Sequence, residues 1–201
     1  MEKQEYIRPP QSDPERLNWP PGTPFIYVTS LADYMDNVRH SAWISADQQA
    51  DMLQVQIEEL MAASPDLKAA QPGVPGWFIE DNRGFYDLGL YLGTDLDEIS
   101  RIGRGIAFKG EAFAAFVVAH GAGPDVMDEF TDCYQATFIN AEVCIDAFLE
   151  SMGWQQAFNA FITDQGIEGL VHFDRRAIWR AYTEAWEVLE TREGVIHVFS
   201  R

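Results

Sequence analysis

Three features of the sequence predict an α+β fold built from three small units. Short runs rich in β-branched and aromatic residues lie near the start and at the end of the chain. Between them, apolar residues recur at helical spacing. Apolar residues make up 47% of the 201 positions and aromatics 13%, enough to bury real cores.

The elements follow in order. Residues 1–22 hold Pro9, Pro10, Pro14, Pro20 and Pro21 and read as an irregular leader. Phe25 to Thr29 is a strand by its β-branched and aromatic content, and Arg39 to Ser45, centred on Trp43 and Ile44, is a second. Asp47 to Ala63 is helical, with Met52, Val55, Ile57, Leu60 and Met61 expected as its apolar stripe. Pro65 and the stretch from Gln71 to Gly76 break it, and Trp77 to Glu80 forms a third strand before the turn Asn82-Arg83-Gly84.

From Leu92 the pattern turns helical. Thr94 is expected as an N-cap, with Asp97 and Glu98 in the first turn and Ile99, Ile102 and Ile106 on the apolar face. Gly110 separates this helix from Glu111 to His120, and Gly121 to Pro124 ends that one. Helices are expected at Asp125 to Cys133, Ala141 to Met152, Gln155 to Ile162 and about Asp174 to Ala185. Trp186 to Leu189 and Val195 to Phe199, joined through Arg192-Glu193-Gly194, read as a hairpin. The units are 23–91 (small sheet plus helix), 92–138 (central, helical) and 139–201 (helices with a hairpin), after the 1–22 leader.

Charge narrows the function. Thirty-two acidic residues against 14 basic ones give a net charge of -18. Such a surface repels nucleic acid phosphates and anionic membranes, so neither is expected as a direct partner. The charged start of the chain carries no apolar signal segment, and the longest apolar run, Ala112 to Ala119, is too short to span a bilayer. A cytoplasmic location follows as the expectation, with Cys133 and Cys144 reduced and not at a metal-binding spacing.

The acids are unevenly placed. Residues 110–174, 65 positions, contain no Lys or Arg. Within them Asp125, Asp128, Glu129 and Asp132 fall at i, i+3, i+4, i+7 and line one helix face; Glu142, Asp146 and Glu150 at i, i+4, i+8 line another. Like charges so spaced destabilise a helix by about 0.2–0.5 kcal/mol per pair. The i, i+4 step advances about 6 Å. B-DNA carries a charge about every 1.7 Å of axis, so a net charge of -18 matches about 30 Å of duplex. Composition leaves two readings open: a DNA-like surface, or a solvated face that only keeps the protein soluble. The basic clusters Arg101, Arg104, Lys109 and Arg175, Arg176, Arg180 are likewise either counter-ions to acidic faces or ordinary surface charge.

No catalytic constellation is found. His40, His120, His172 and His197 show no metal-binding spacing, and no metal or cofactor is expected. The glycines around Arg104 lack a phosphate-loop spacing. Glu80 and Asp81 are adjacent in a strand, so strict alternation points them to opposite faces.

Several segments together resemble the ArdA antirestriction family: Thr23 to Tyr34, His40 to Ile44, Gly76 to Phe85 with its Asp81-Asn82-Arg83-Gly84-Phe85, Gly110 to Phe116, Phe130 to Tyr134, and Val195 to Phe199. The resemblance implies elongated, three-domain α+β proteins that dimerise through their C-terminal regions. It implies a DNA mimic, not an enzyme, that occupies the DNA-binding cleft of type I restriction-modification enzymes and protects incoming mobile DNA. On that basis Asp125, Asp128, Glu129, Asp132, Glu142, Asp146 and Glu150 are the expected phosphate-mimicking contacts, with Asp95, Asp97 and Glu98 behind them. The leader before Thr23 and the stretch from Gly153 to Gly169 depart from the family pattern. Two other functions compete: an acidic adaptor or immunity-type protein that neutralises another basic partner, and an enzyme built on Glu80 or Asp81.

Overall fold

A computed structural model of the chain describes residues 22–64, 76–90 and 95–201. Most of the expected proline-rich leader, the breakers from Pro65 to Pro75 and the expected cap Thr94 lie outside the described residues. The chain is mixed α+β, with two small antiparallel sheets of three strands each. It divides into two compact units between Phe108 and Lys109.

The first unit is built on strand β1 (Phe25–Ser30), which runs into a short helix α1 (Leu31–Met35). Strand β2 (Ser41–Ser45), helix α2 (Ala50–Ala62), strand β3 (Trp77–Arg83) and helix α3 (Leu96–Lys109) follow. The sheet order is β2-β1-β3, with β1 in the middle. Ile26, Val28 and Ile44 form a buried apolar face, while Tyr27 and Trp43 pack on the other, their rings tilted by 40° with centroids 4.9 Å apart. Period-two alternation in β1 dictates this division.

Helix α2 corrects the expected stripe. Leu53 and Ile57 are its buried residues, whereas Met52 and Val55 are 48% and 45% exposed. The inward face runs through Leu53, Gln56, Ile57 and Leu60. Polar Gln56 interrupts the apolar pattern, because its amide is bound to Gln48. Helix α3 buries Ile99, Ile102 and Ile106 as expected. Its Gly103 lies so close to Ala46 that an added Cβ would stand 2.2 Å from the Ala46 carbonyl oxygen. The glycine near Arg104 thus serves close packing.

The second unit begins with helices α4 (Glu111–His120) and α5 (Val126–Cys133). Strand β4 (Tyr134–Phe138) follows directly. Strand β4 is not among the expected elements, and the expected boundary at 138 falls at its end. Helices α6 (Ala141–Ser151), α7 (Trp154–Gln165) and α8 (Arg175–Ala185) come next, and the hairpin β5 (Glu187–Glu190) and β6 (Ile196–Phe199) closes the chain. The sheet order is β4-β6-β5, and every residue of β6 is buried.

Because β6 is covered on both sides, its alternation splits the core in two. Phe199 joins Phe116, Phe130 and Tyr134 in an aromatic cluster, with centroid separations of 5.0–5.8 Å among Phe116, Phe130, Tyr134 and Phe199. Ile196 and Val198 face the other way and pack on Cys144, Trp179 and Tyr182. Helix α5 therefore covers one face of the sheet through Phe130, and α6 covers the opposite face through Cys144. Among the described residues, no helix is long and apolar enough to cross a membrane.

Candidate functional site

The acidic residues nominated by spacing occupy two helices over opposite faces of the second sheet. In α5, Val126 and Phe130 are buried, and Asp125, Asp128, Glu129 and Asp132 are all exposed. The 3.6-residue repeat that seats Phe130 in the aromatic cluster turns these four outward together. Asp125 is the N-cap residue, and Asp128 and Glu129 lie in the first turn. There the helix dipole favours anions by about 0.3–1 kcal/mol each. Part of the repulsion in this row therefore has a local offset. Asp132 lies in the last turn, where the dipole disfavours an acid. No ion pair to any of the four acids is found among the described residues.

The row on α6 differs. Glu142, Asp146 and Glu150 are exposed along one side of the helix, whose Asn140 caps it by accepting from the Val143 amide at 2.9 Å. Arg175, the first residue of α8, reaches back across two of these acids. Its Nε donates to Glu142 Oε2, its Nη1 to Asp146 Oδ1 at 2.8 Å, and its Nη2 to the Glu142 carbonyl at 2.9 Å. The hydrogen bond to Asp146, and then that to Glu142, holds the Arg175 pKa above its ordinary value. The arginine that ends the cation-free stretch is thus an internal counter-ion. The sequence marked it only as one of two possibilities, because its partners lie 33 and 29 residues away.

The third group of nominated acids lies in the first unit. Asp95 Oδ1 accepts from the Asp97 amide at 3.2 Å, and the Asp95 carbonyl accepts from Ile99 at 2.9 Å. Asp97 and Glu98 fill the first turn of α3. Their placement is that of acids starting a helix.

Glu80 and three of the four histidines have structural partners. Strand β3 carries a bulge: Tyr27 faces Asp81 and Val28 faces Ile79, so Glu80 is the extra residue. Thr29 donates to Glu80 Oε2 at 2.6 Å. Both carboxyls therefore lie toward the Tyr27–Thr29 side, contrary to the strict alternation expected. His40 is bonded to the Leu60 carbonyl at 2.6 Å, and His120 lies 3.0 Å from Glu187. His197 is 2% exposed; its Nδ1 lies 2.8 Å from Thr137 Oγ1, and burial pushes its pKa down. Cys133 and Cys144 are free thiols whose pKa values burial raises. An apolar cavity of about 330 Å³ lies in the second unit, lined by Phe148, Trp154, Ile178, Tyr182 and Trp186 among others.

Among the described residues, the α5 acids form a single-sided row to which no ion pair is made. A search of curated proteins finds no match. Residues 26–188, well over half of the 201, match a family model described as antirestriction protein (ArdA). The chain belongs to the ArdA family of antirestriction proteins.

Proposed function

We propose that this protein is a DNA mimic that occupies the DNA-binding cleft of type I restriction-modification enzymes and so protects incoming DNA. The observation that carries this reading is the α5 row: four exposed acids on one helix face, in a 65-residue stretch (110–174) without Lys or Arg, in a chain of an antirestriction family. Carboxylates there meet the Lys and Arg side chains that otherwise hold phosphates, with no bases to read and no duplex to bend. Association is electrostatically steered and weakens with salt. Asp125, Asp128, Glu129 and Asp132 form the principal contact. Glu150 extends the anionic surface of the second unit, Glu142 and Asp146 add to it the charge that Arg175 leaves them, and Asp95, Asp97 and Glu98 are further acidic contacts on the first unit. The protein acts in the cytoplasm, where restriction enzymes meet DNA. It acts as a homodimer through its C-terminal region, where Met152, Trp154, Phe161 and Leu170 are exposed apolar side chains in support of that reading.

The test is a displacement assay with purified protein, a type I methyltransferase core and labelled duplex at several salt concentrations. Displacement is expected at low salt and is lost as salt rises. Reversing Asp125, Asp128, Glu129 and Asp132 together to Lys should cut inhibition at least about 100-fold. Full inhibition by a folded reversal variant would show that this face is not the contact. No displacement by the wild-type protein at low salt would favour a different basic partner.

A further inference from the structure

Arg175 joins two helix starts as well as two acids. It follows the α8 N-cap Asp174, whose carboxylate accepts from the Ala177 amide at 3.0 Å. Its guanidinium reaches the first turn of α6, at Glu142, and the next turn, at Asp146. One planar fork thus satisfies two carboxylates one turn apart and a backbone carbonyl, a geometry that Lys cannot reproduce. The Arg175 side chain is 34% exposed, while those of Glu142 and Asp146 remain 68% and 62% exposed. The acids face solvent, but their charge is already answered from within the molecule.

We infer that Arg175 is a positioning residue that withdraws Glu142 and Asp146 from partner contact, leaving the α5 acids to meet the partner and the α6 acids to fix α8 against α6. This rests on the reading of the acidic surface proposed above and deepens it. An incoming cation at α6 meets a local pair of charges reduced to one, already bound in a fixed fork. At α5 it meets four acids without an internal cation. The α6 row relieves its own like-charge repulsion through Arg175, so its spacing has a folding explanation that the α5 row lacks.

The sign of one substitution tests this. Arg175→Gln takes the net charge from -18 to -19 and releases both carboxylates. On the full chain, its melting temperature should fall by about 4 °C. In the displacement assay at low salt, inhibition should tighten about threefold, with a steeper salt dependence. Arg175→Lys, which keeps the charge without the fork, should regain the wild-type salt dependence but not the full melting temperature. Glu142→Gln with Asp146→Asn should weaken inhibition less than about twofold. Weaker inhibition by Arg175→Gln, measured well below its melting temperature, would overturn the inference. So would a loss from Glu142→Gln with Asp146→Asn as large as that from neutralising Asp128 and Asp132.

A stability cycle separates failure of this inference from failure of the functional reading. Arg175→Gln, Asp146→Asn and the double variant should give melting shifts that do not add. If reversing α5 leaves inhibition intact while the shifts remain non-additive, the acidic-surface reading fails and the counter-ion role stands. Additive shifts would remove the counter-ion role whatever the inhibition assay gives.

Discussion

Helices α5 and α6 each carry an acid row on a single face, yet the molecule treats the two rows differently. Each is anchored by apolar residues on its inner side, Val126 and Phe130 in α5 and Cys144, Ile145 and Leu149 in α6. Each turns its acids outward for the same geometric reason. They cover opposite faces of one sheet, because β6 sends Phe199 to one side and Ile196 and Val198 to the other. Among the described residues, only α6 finds an internal cation. Spacing alone cannot distinguish a row with an internal counter-ion from one without; the location of the nearest guanidinium does.

The comparison can be broken or sharpened by degrees. Its largest lever is the platform under α5. Phe130 is 1% exposed and packs against Phe113, Phe116, Tyr134 and Phe199. Phe130→Ala should cost about 3–5 kcal/mol of stability by denaturant melting, since a ring is lost and its cavity refills only in part. Inhibition should disappear with the fold, and a variant that melts like the wild type would show that α5 is not seated through Phe130.

Acid tests the sheet that both rows share. His197 lies buried on the α5 side of β6, and burial lowers its pKa below the ordinary 6.5. At pH values below 6.5 the unfolded chain binds a proton that the native chain takes up less readily, so stability falls as pH falls. The melting temperature of the second unit should drop by about 4 °C between pH 7 and pH 5 beyond that of His197→Gln. Equal pH sensitivity in the two proteins would remove His197 as the cause.

The smallest effect sharpens the contrast most. Asp128→Asn alone should weaken inhibition no more than about twofold, because each exposed charge is one of four and is screened by salt. A tenfold loss in the displacement assay would mean a single dominant contact in place of a distributed row.

Much of the fold was legible in the chain. The strands at Phe25 and Trp43, the isoleucine face of α3 and the closing hairpin all stood out, because local propensity and burial agreed there. Strand β4 did not, because Tyr134 to Phe138 is only five residues long and follows α5 without a breaker. The α2 stripe was misread because Gln56 occupies an inward position. The bulge at Glu80 was unreadable, since strand alternation carries no mark of an inserted residue. The acids of both rows were identified by their spacing and are exposed where expected; their different electrostatic surroundings were not visible.

The sequence by itself determined the excess of negative charge, its concentration between Lys109 and Arg175, and the helical phase that gathers acids on single faces. These depend only on composition and on 3.6-residue periodicity. Tertiary structure alone decided which row keeps its charge. That depends on where α8 begins in space, and Arg175 meets Glu142 and Asp146 only because α6 and α8 pack on the same side of the sheet.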